Sequence, residues 1–281
     1  MVNLNGIIVA TSAATISTNN RGLAYGDALF ETIRVSAGKI FFAEDHYFRL
    51  MASMRILRME IPMNFTQEFL ESELLRTIEA SEMETKTCIA KITVYRNQGG
   101  LYTPTDQTVG YFISVREIDA PFYLIHEEAY EVELFKDHYI NSGLLTTLKT
   151  NNKIVNVLGS IYASENEYQN CLLLNEKKQV VEALNGNLFL VKGTTIKTPP
   201  LNDGCLKGIL RKQIITICKS LPDYTLEEAS ISPFELQKAD ELFITNVVVG
   251  IQSITKYRKK EYTKLAAKDL LGKLNTRVRL G

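Results

Sequence analysis

The sequence predicts an α/β protein in two parts: an α+β N-terminal domain over residues 1–118 and a mixed α/β C-terminal domain over residues 119–281. Three observations predict this. A length of 281 residues is close to twice the roughly 150 that one domain commonly takes. Short apolar strand runs are interleaved with a few helical stripes, which is the pattern of mixed layers. Between the halves stands Ile118-Asp119-Ala120-Pro121, a proline-ended stretch suited to a linker.

The elements come in this order. Asn5-Gly6 between Val2–Leu4 and Ile7–Val9 is a two-residue hairpin signal. A second strand pair is expected over residues 29–35 and 40–42, turning at Ala37-Gly38. Residues 43–59 read as a helix with Tyr47, Leu50, Met51, Met54 and Leu57 on one stripe. Residues 66–80 read as a second helix, apolar at Phe69, Leu70, Leu74 and Ile78. Strands at 89–95 and 110–115 close this half around a loop containing Gly99, Gly100 and Pro104. In the second half strands are expected at 130–135, 144–148, 171–174, 179–184, 188–191 and 240–249. Helices are expected at 153–168 and 206–221.

Charge and composition remove whole classes of function. Lys plus Arg and Asp plus Glu are both 32, so there is no basic surplus for nucleic acid or an anionic membrane surface. No apolar run approaches the roughly 20 residues of a membrane span, and the N-terminus does not read as a secretory signal. Four scattered cysteines without CxxC spacing, and three histidines none of which is four from another, argue against a metal site or disulfide framework. GxGxxG and GxxxxGKS/T are missing, which removes the common nucleotide-phosphate loops. A reduced, cytoplasmic protein with a sizeable core is the expectation.

Several residues could carry chemistry. Lys149 follows an apolar run and precedes a polar turn, so its amine either caps a strand in water or faces inward. Inward, it would lose hydration and become a nucleophile toward a carbonyl cofactor. Alternation along residues 179–184 puts Val180, Glu182 and Leu184 on one face. Glu182 therefore either points to water or needs a cationic partner such as a pyridinium nitrogen or an arginine. Arg49, three residues after His46, offers a donor fork suited to phosphate or is simply a surface helix residue. Asn202-Asp203-Gly204 leads through Gly208 into a helix whose first amides could bind phosphate, or are merely capped. Thr245-Asn246-Val247 follows a strand and could add amides and a hydroxyl. An amine, a carboxylate, an arginine and two amide-rich turns are the set that pyridoxal phosphate requires.

With those residues in view, the sequence resembles the class IV aminotransferase family, the fold-type IV pyridoxal-phosphate enzymes. The resemblance is carried by Tyr25-Gly26-Asp27-Ala28-Leu29-Phe30-Glu31-Thr32, His46-Tyr47-Phe48-Arg49-Leu50, Lys149-Thr150-Asn151-Asn152, and the run 181–189. It continues through Gly208-Ile209 with Arg211 and through Ala239-Asp240-Glu241-Leu242-Phe243. It spans nearly the whole chain. The resemblance implies a D-amino acid aminotransferase-like fold and a homodimer whose partner closes the site. It implies pyridoxal 5'-phosphate as cofactor, Lys149 as the Schiff-base lysine, Glu182 as the pyridine-nitrogen partner and Arg49 as a phosphate ligand. Leu206 would pack on the cofactor ring. Gly208, the amides of Ile209 and Leu210, and those of Asn246 and Val247 would form the phosphate cup. Tyr25, Arg96 and Tyr102 are candidates for substrate contact.

Members of the family include branched-chain and D-amino acid aminotransferases and aminodeoxychorismate lyase. Lys-x-x-Asn followed by basic Lys153, and Asn246 followed by two apolar residues, look more like the lyase. Where many aminotransferases have hydroxyl-bearing residues, this chain has Ile154, Leu210 and Thr245-Asn246-Val247. The resemblance therefore implies a lyase acting on a small amine substrate, with an amino-acid aminotransferase as the alternative.

Overall fold

Asn5 and Gly6 take φ of 53° and 87°, so the chain reverses in two residues between β1 (Val2–Leu4) and β2 (Ile7–Val9). Ala37 and Gly38, at 47° and 79°, do the same between β3 (Ala28–Ser36) and β4 (Lys39–Ile40). These hairpins join β5 (Thr87–Arg96) and β6 (Val109–Glu117) in an antiparallel sheet ordered β2-β1-β6-β5-β3-β4. The computed structural model describes residues 1–280.

Two helices lie on this sheet. In α2 (Ala43–Ile56) the buried residues His46, Leu50, Met51, Ser53 and Met54 recur every three or four positions. Glu44 and Asp45 sit in its first turn, where the helix dipole favours acids. In α3 (Gln67–Ala80) Thr66 caps the first turn by accepting from the Phe69 N–H. A short α1 (Arg21–Tyr25) ends at Gly26, whose φ is 66°. Helix α2 stops three residues before the expected 59, and strand β4 stops at Ile40 because Phe42 takes a left-handed turn into the helix.

The second half is built on a mixed sheet. Its main path is β12 (Thr225–Glu228), β11 (Thr195–Thr198), β10 (Gly186–Lys192), β9 (Val180–Ala183), β8 (Asn170–Asn175), β7 (Glu131–Ile140), β15 (Lys256–Tyr257) and β16 (Lys260–Glu261). β13 (Glu241–Asn246) pairs with β10 and with β14 (Gly250–Ile254). The pairs β7–β8, β7–β15 and β11–β12 are parallel and the rest antiparallel. The core is aliphatic, with Val132, Leu172, Val180, Leu188, Leu242 and Ile254 closed to solvent. Helix α4 (Ile154–Glu165) covers Phe135, Cys171 and Leu173 through Ala163. Helices α5 (Ile209–Lys219) and α7 (Leu265–Leu280) pack together, and α6 (Pro233–Lys238) starts with a Ser232–Glu235 capping box. Glu241 on β13 caps α7, accepting from the N–H groups of Leu265, Ala266 and Ala267 at 2.6, 3.0 and 3.2 Å. Among the described residues no helix is long and apolar enough to cross a membrane.

Two expectations are corrected. Residues 144–148 are no strand: Leu145–Thr147 is a 3-10 turn, with Leu144 and Leu145 more than 60% exposed, so the apolar run has no sheet to enter. The chain divides into two compact units, Met1–Phe122 with Lys149–Asn152, and Tyr123–Leu148 with Lys153–Gly281. Lys149, expected in the C-terminal domain, thus belongs with the first unit. The reason is backbone pairing: the Phe30 N–H donates to the Lys149 carbonyl at 2.9 Å, and the Asn151 N–H donates to the Ala28 carbonyl at 3.0 Å.

Candidate active site

In the first unit β3 brings three residues to one place. Thr150 bridges Leu29, and the Lys149 ammonium lies 4.4 Å from the centre of the Phe30 ring. Lys149 is half-buried. Thus the lysine does not end a strand of its own, but is strapped along the start of β3. Asn152 donates to the Gly26 carbonyl at 3.2 Å, and its amide oxygen would collide with any Cβ at Gly26. Glycine is required there by both that approach and its positive φ.

The next residue of β3, Glu31, is buried and holds Arg49 and His46. Its two oxygens take the Arg49 guanidinium side-on, Oε1 from Nε at 2.7 Å and Oε2 from Nη2 at 2.5 Å. His46 Nδ1 lies 2.6 Å from Oε2. Burial works against ionising Glu31, but the Arg49 charge and the hydrogen bonds from His46 and Arg49 win, holding the carboxyl at about 2. Burial pushes His46 below its ordinary 6.5, assisted by the charges of Arg49 and Lys149 and opposed by Glu31. His46 is therefore neutral at pH 7, and its buried Nε2 has no hydrogen-bond partner.

The three candidates for substrate contact separate. Arg96 is buried and committed to the fold, donating to Asp27 at 2.8 Å, to the Arg58 and Leu57 carbonyls at 3.1 and 2.6 Å, and to Gln107. Tyr25 and Tyr102 are exposed and in tilted contact, centroids 5.6 Å apart. Arg21 supports them from beneath: it sits 5.0 Å from the Tyr25 ring, binds Asp27 at 3.0 Å, and grips the Gly99 and Leu101 carbonyls at 3.1 and 2.5 Å.

In the second unit Glu182 lies on β9, opposite Asn187 of β10 and Leu173 of β8. It is 8% exposed, but β9 is buried on both faces, and a register shift between Leu173 and Leu174 breaks the expected alternation, so Glu182 does not share a face with Val180. Its Oε2 accepts from the Leu206 N–H at 2.8 Å, and Asn187 Nδ2 is 3.4 Å away. Asn187 also donates to the Leu206 carbonyl at 2.8 Å. Leu206 is thereby fixed at both its backbone groups by two side chains from neighbouring strands.

Three residues downstream α5 begins at Ile209, not at the expected 206, because the backbone groups of Leu206 are already bonded to Glu182 and Asn187. Gly208 is the N-cap and no side chain caps the helix. The first amides, Ile209 and Leu210 among them, point out of the helix end with the positive end of its dipole. At the end of β13, Asn246 Oδ1 accepts from the Val248 and Val249 N–H groups at 3.0 and 3.1 Å. This ties the turn to one shape and leaves Val247, Val248 and Val249 half-buried. The Val247 carbonyl accepts from the Tyr123 hydroxyl at 3.2 Å.

Glu31 and Asn187 have site roles that sequence reasoning missed. A signal was available: each is a polar residue set among apolar strand residues, where burial demands a partner.

Residues 28–257 match the family model described as amino-transferase class IV. A Methanocaldococcus jannaschii protein provisionally named a branched-chain-amino-acid aminotransferase is 30% identical, over 88% of this chain and 84% of that one. A D-alanine aminotransferase of Listeria monocytogenes is 26% identical over 90% and 86%. Among solved structures, a branched-chain aminotransferase of Thermoproteus uzoniensis, crystallised with norvaline, aligns with a TM-score of 0.85. Its identity is 24%, covering 98% of this chain and 93% of that one. A Legionella pneumophila protein provisionally named 4-amino-4-deoxychorismate lyase aligns at 0.80 with 23% identity, covering 95% and 96%. With its lysine strapped to β3, its buried Glu182 and a family match across most of its length, the chain belongs to the class IV aminotransferase family.

Proposed function

We propose that this protein binds pyridoxal 5'-phosphate and acts as an aminodeoxychorismate lyase, forming p-aminobenzoate and pyruvate from 4-amino-4-deoxychorismate. Each unit carries residues of the kinds the cofactor requires: an amine at Lys149 and a guanidinium at Arg49 in the first, a buried carboxylate at Glu182 and a helix end with no capping side chain in the second. When bound, the cofactor supplies an aldehyde for the substrate amine and a ring that accepts an electron pair. Lys149 is the base that takes the proton from the amine-bearing carbon and later returns one. Glu182 holds a proton on the ring nitrogen. Arg49 would serve as a phosphate ligand and so fix the ring's register, and the α5 amides are likewise of a kind suited to phosphate.

The choice of lyase is carried by the Asn246 turn. Its polar side chain is spent on its own loop, and the next three residues are valines rather than hydroxyl-bearing ones. An apolar wall suits a product that leaves as a flat aromatic ring. The second reading, an amino-acid aminotransferase, is favoured by the names of the relatives at 30% and 26% identity. We further propose a homodimer working in the cytoplasm on a folate precursor.

The deciding experiment incubates purified protein with aminodeoxychorismate and follows p-aminobenzoate. Product is expected, falling at least about a hundredfold in Lys149→Ala. No product from protein that binds the cofactor through Lys149 would overturn the lyase reading. Conversion of the bound cofactor to its amine form by an amino acid would then establish the aminotransferase.

A further inference from the structure

We propose that Glu31 and His46 are positioning residues that hold the Arg49 guanidinium ready for the cofactor phosphate. This rests on the reading of Arg49 as a phosphate ligand. The three side chains form a chain of contacts from strand to helix: His46 Nδ1 to Glu31 Oε2 at 2.6 Å, and Glu31 to Arg49 through two parallel bonds. Glu31 and His46 are 2% and 3% exposed, and the Arg49 side chain is 8% exposed.

Such a fork fixes a guanidinium in plane as well as in place. An arginine side chain gives up much rotamer freedom when it is immobilised. Here that ordering is completed within the fold, on the edge formed by Nε and Nη2. A phosphate then meets a guanidinium whose orientation is set in advance. His46 does the same one step back. One of its nitrogens is bonded to Glu31 and the other has no partner, so its purpose in this network is to orient the carboxylate.

The test compares two ligands on the full chain stripped of cofactor: pyridoxal 5'-phosphate, and pyridoxal, which lacks the phosphate. Both are titrated by absorbance against the wild type, Glu31→Gln, His46→Phe, His46→Gln and Arg49→Gln. Glu31→Gln and His46→Phe are expected to raise the Kd for the phosphorylated compound about tenfold while changing that for pyridoxal by less than about twofold. His46→Gln, whose amide can still donate to Glu31, is expected to stay near the wild type. A general loss of structure would weaken both ligands together, and that result overturns the proposal. So does a selective loss in Arg49→Gln that neither Glu31→Gln nor His46→Phe shares. If Arg49→Gln itself shows no selectivity, the phosphate reading of Arg49 fails and the proposal falls with it. Should Glu31→Gln not fold, His46→Phe decides by the same ratio.

Discussion

The Glu182 carboxylate accepts the Leu206 N–H at 2.8 Å, so one side chain serves both as a buried charge and as a support for the chain entering α5. These two roles can be separated. In Glu182→Gln the amide oxygen still accepts from Leu206, and stability should change by less than about 1 kcal/mol. Turnover should fall by roughly a hundredfold or more, because a neutral amide cannot hold a proton on a pyridine nitrogen. Chemical denaturation and product formation on the same preparation check both halves.

Gly208→Ala should be harmful for a reason unrelated to backbone freedom. The φ of Gly208 is −69°, which any residue accepts, yet a Cβ there would collide with Asn187 Oδ1. Asn187 cannot retreat without breaking its bond to the Leu206 carbonyl. A loss of about 1–3 kcal/mol is expected by urea denaturation. Adding Asn187→Ala should remove the clash, so the double variant should cost less than the sum of the singles.

Glu241→Ala should loosen α7. The carboxylate satisfies three of the four N-terminal amides that no intrahelical carbonyl can reach. Losing the cap should cost at least about 2 kcal/mol, and hydrogen exchange should rise first in the first turn of α7.

Acid should weaken the first unit in two stages. His46 has a folded pKa below its ordinary 6.5, so the stability it contributes is complete above 6.5 and is lost as pH falls through the folded value. Glu31, held at about 2 against an ordinary 4.5, loses its contribution between those two values. The melting temperature should therefore fall on acidification below pH 6.5. In His46→Gln the first stage should vanish and the second remain. An unchanged profile in that variant would place the acid sensitivity elsewhere.

Much of the fold was readable from the chain. The Asn5-Gly6 hairpin and the stripes of α2 and α3 are local patterns, and they fold as local rules dictate. What escaped was set by distant partners. α7 carries apolar residues at helical spacing, but its cap comes from Glu241, more than twenty residues earlier, so no start signal stands beside it. Lys149 looked like a strand end because its neighbours are apolar; its pairing with β3 spans about 120 residues and leaves no mark in periodicity. Arg96 was selected as a substrate contact by residue type, and only its partners show that it braces Asp27. The candidate chemistry-bearing residues were singled out for the opposite reason: an amine, a carboxylate and a guanidinium lie in ordered motifs.

The return of Lys149–Asn152 to the first unit has a consequence for synthesis. A ribosome releases residues 1–122 well before 149–152, so the first unit waits for its last piece while the second has already begun. The Ala28 carbonyl and the Phe30 amide lack their final partners during that interval. Lys149 is therefore set in place only after residues 123–148 of the second unit have been made, and before the rest of that unit exists.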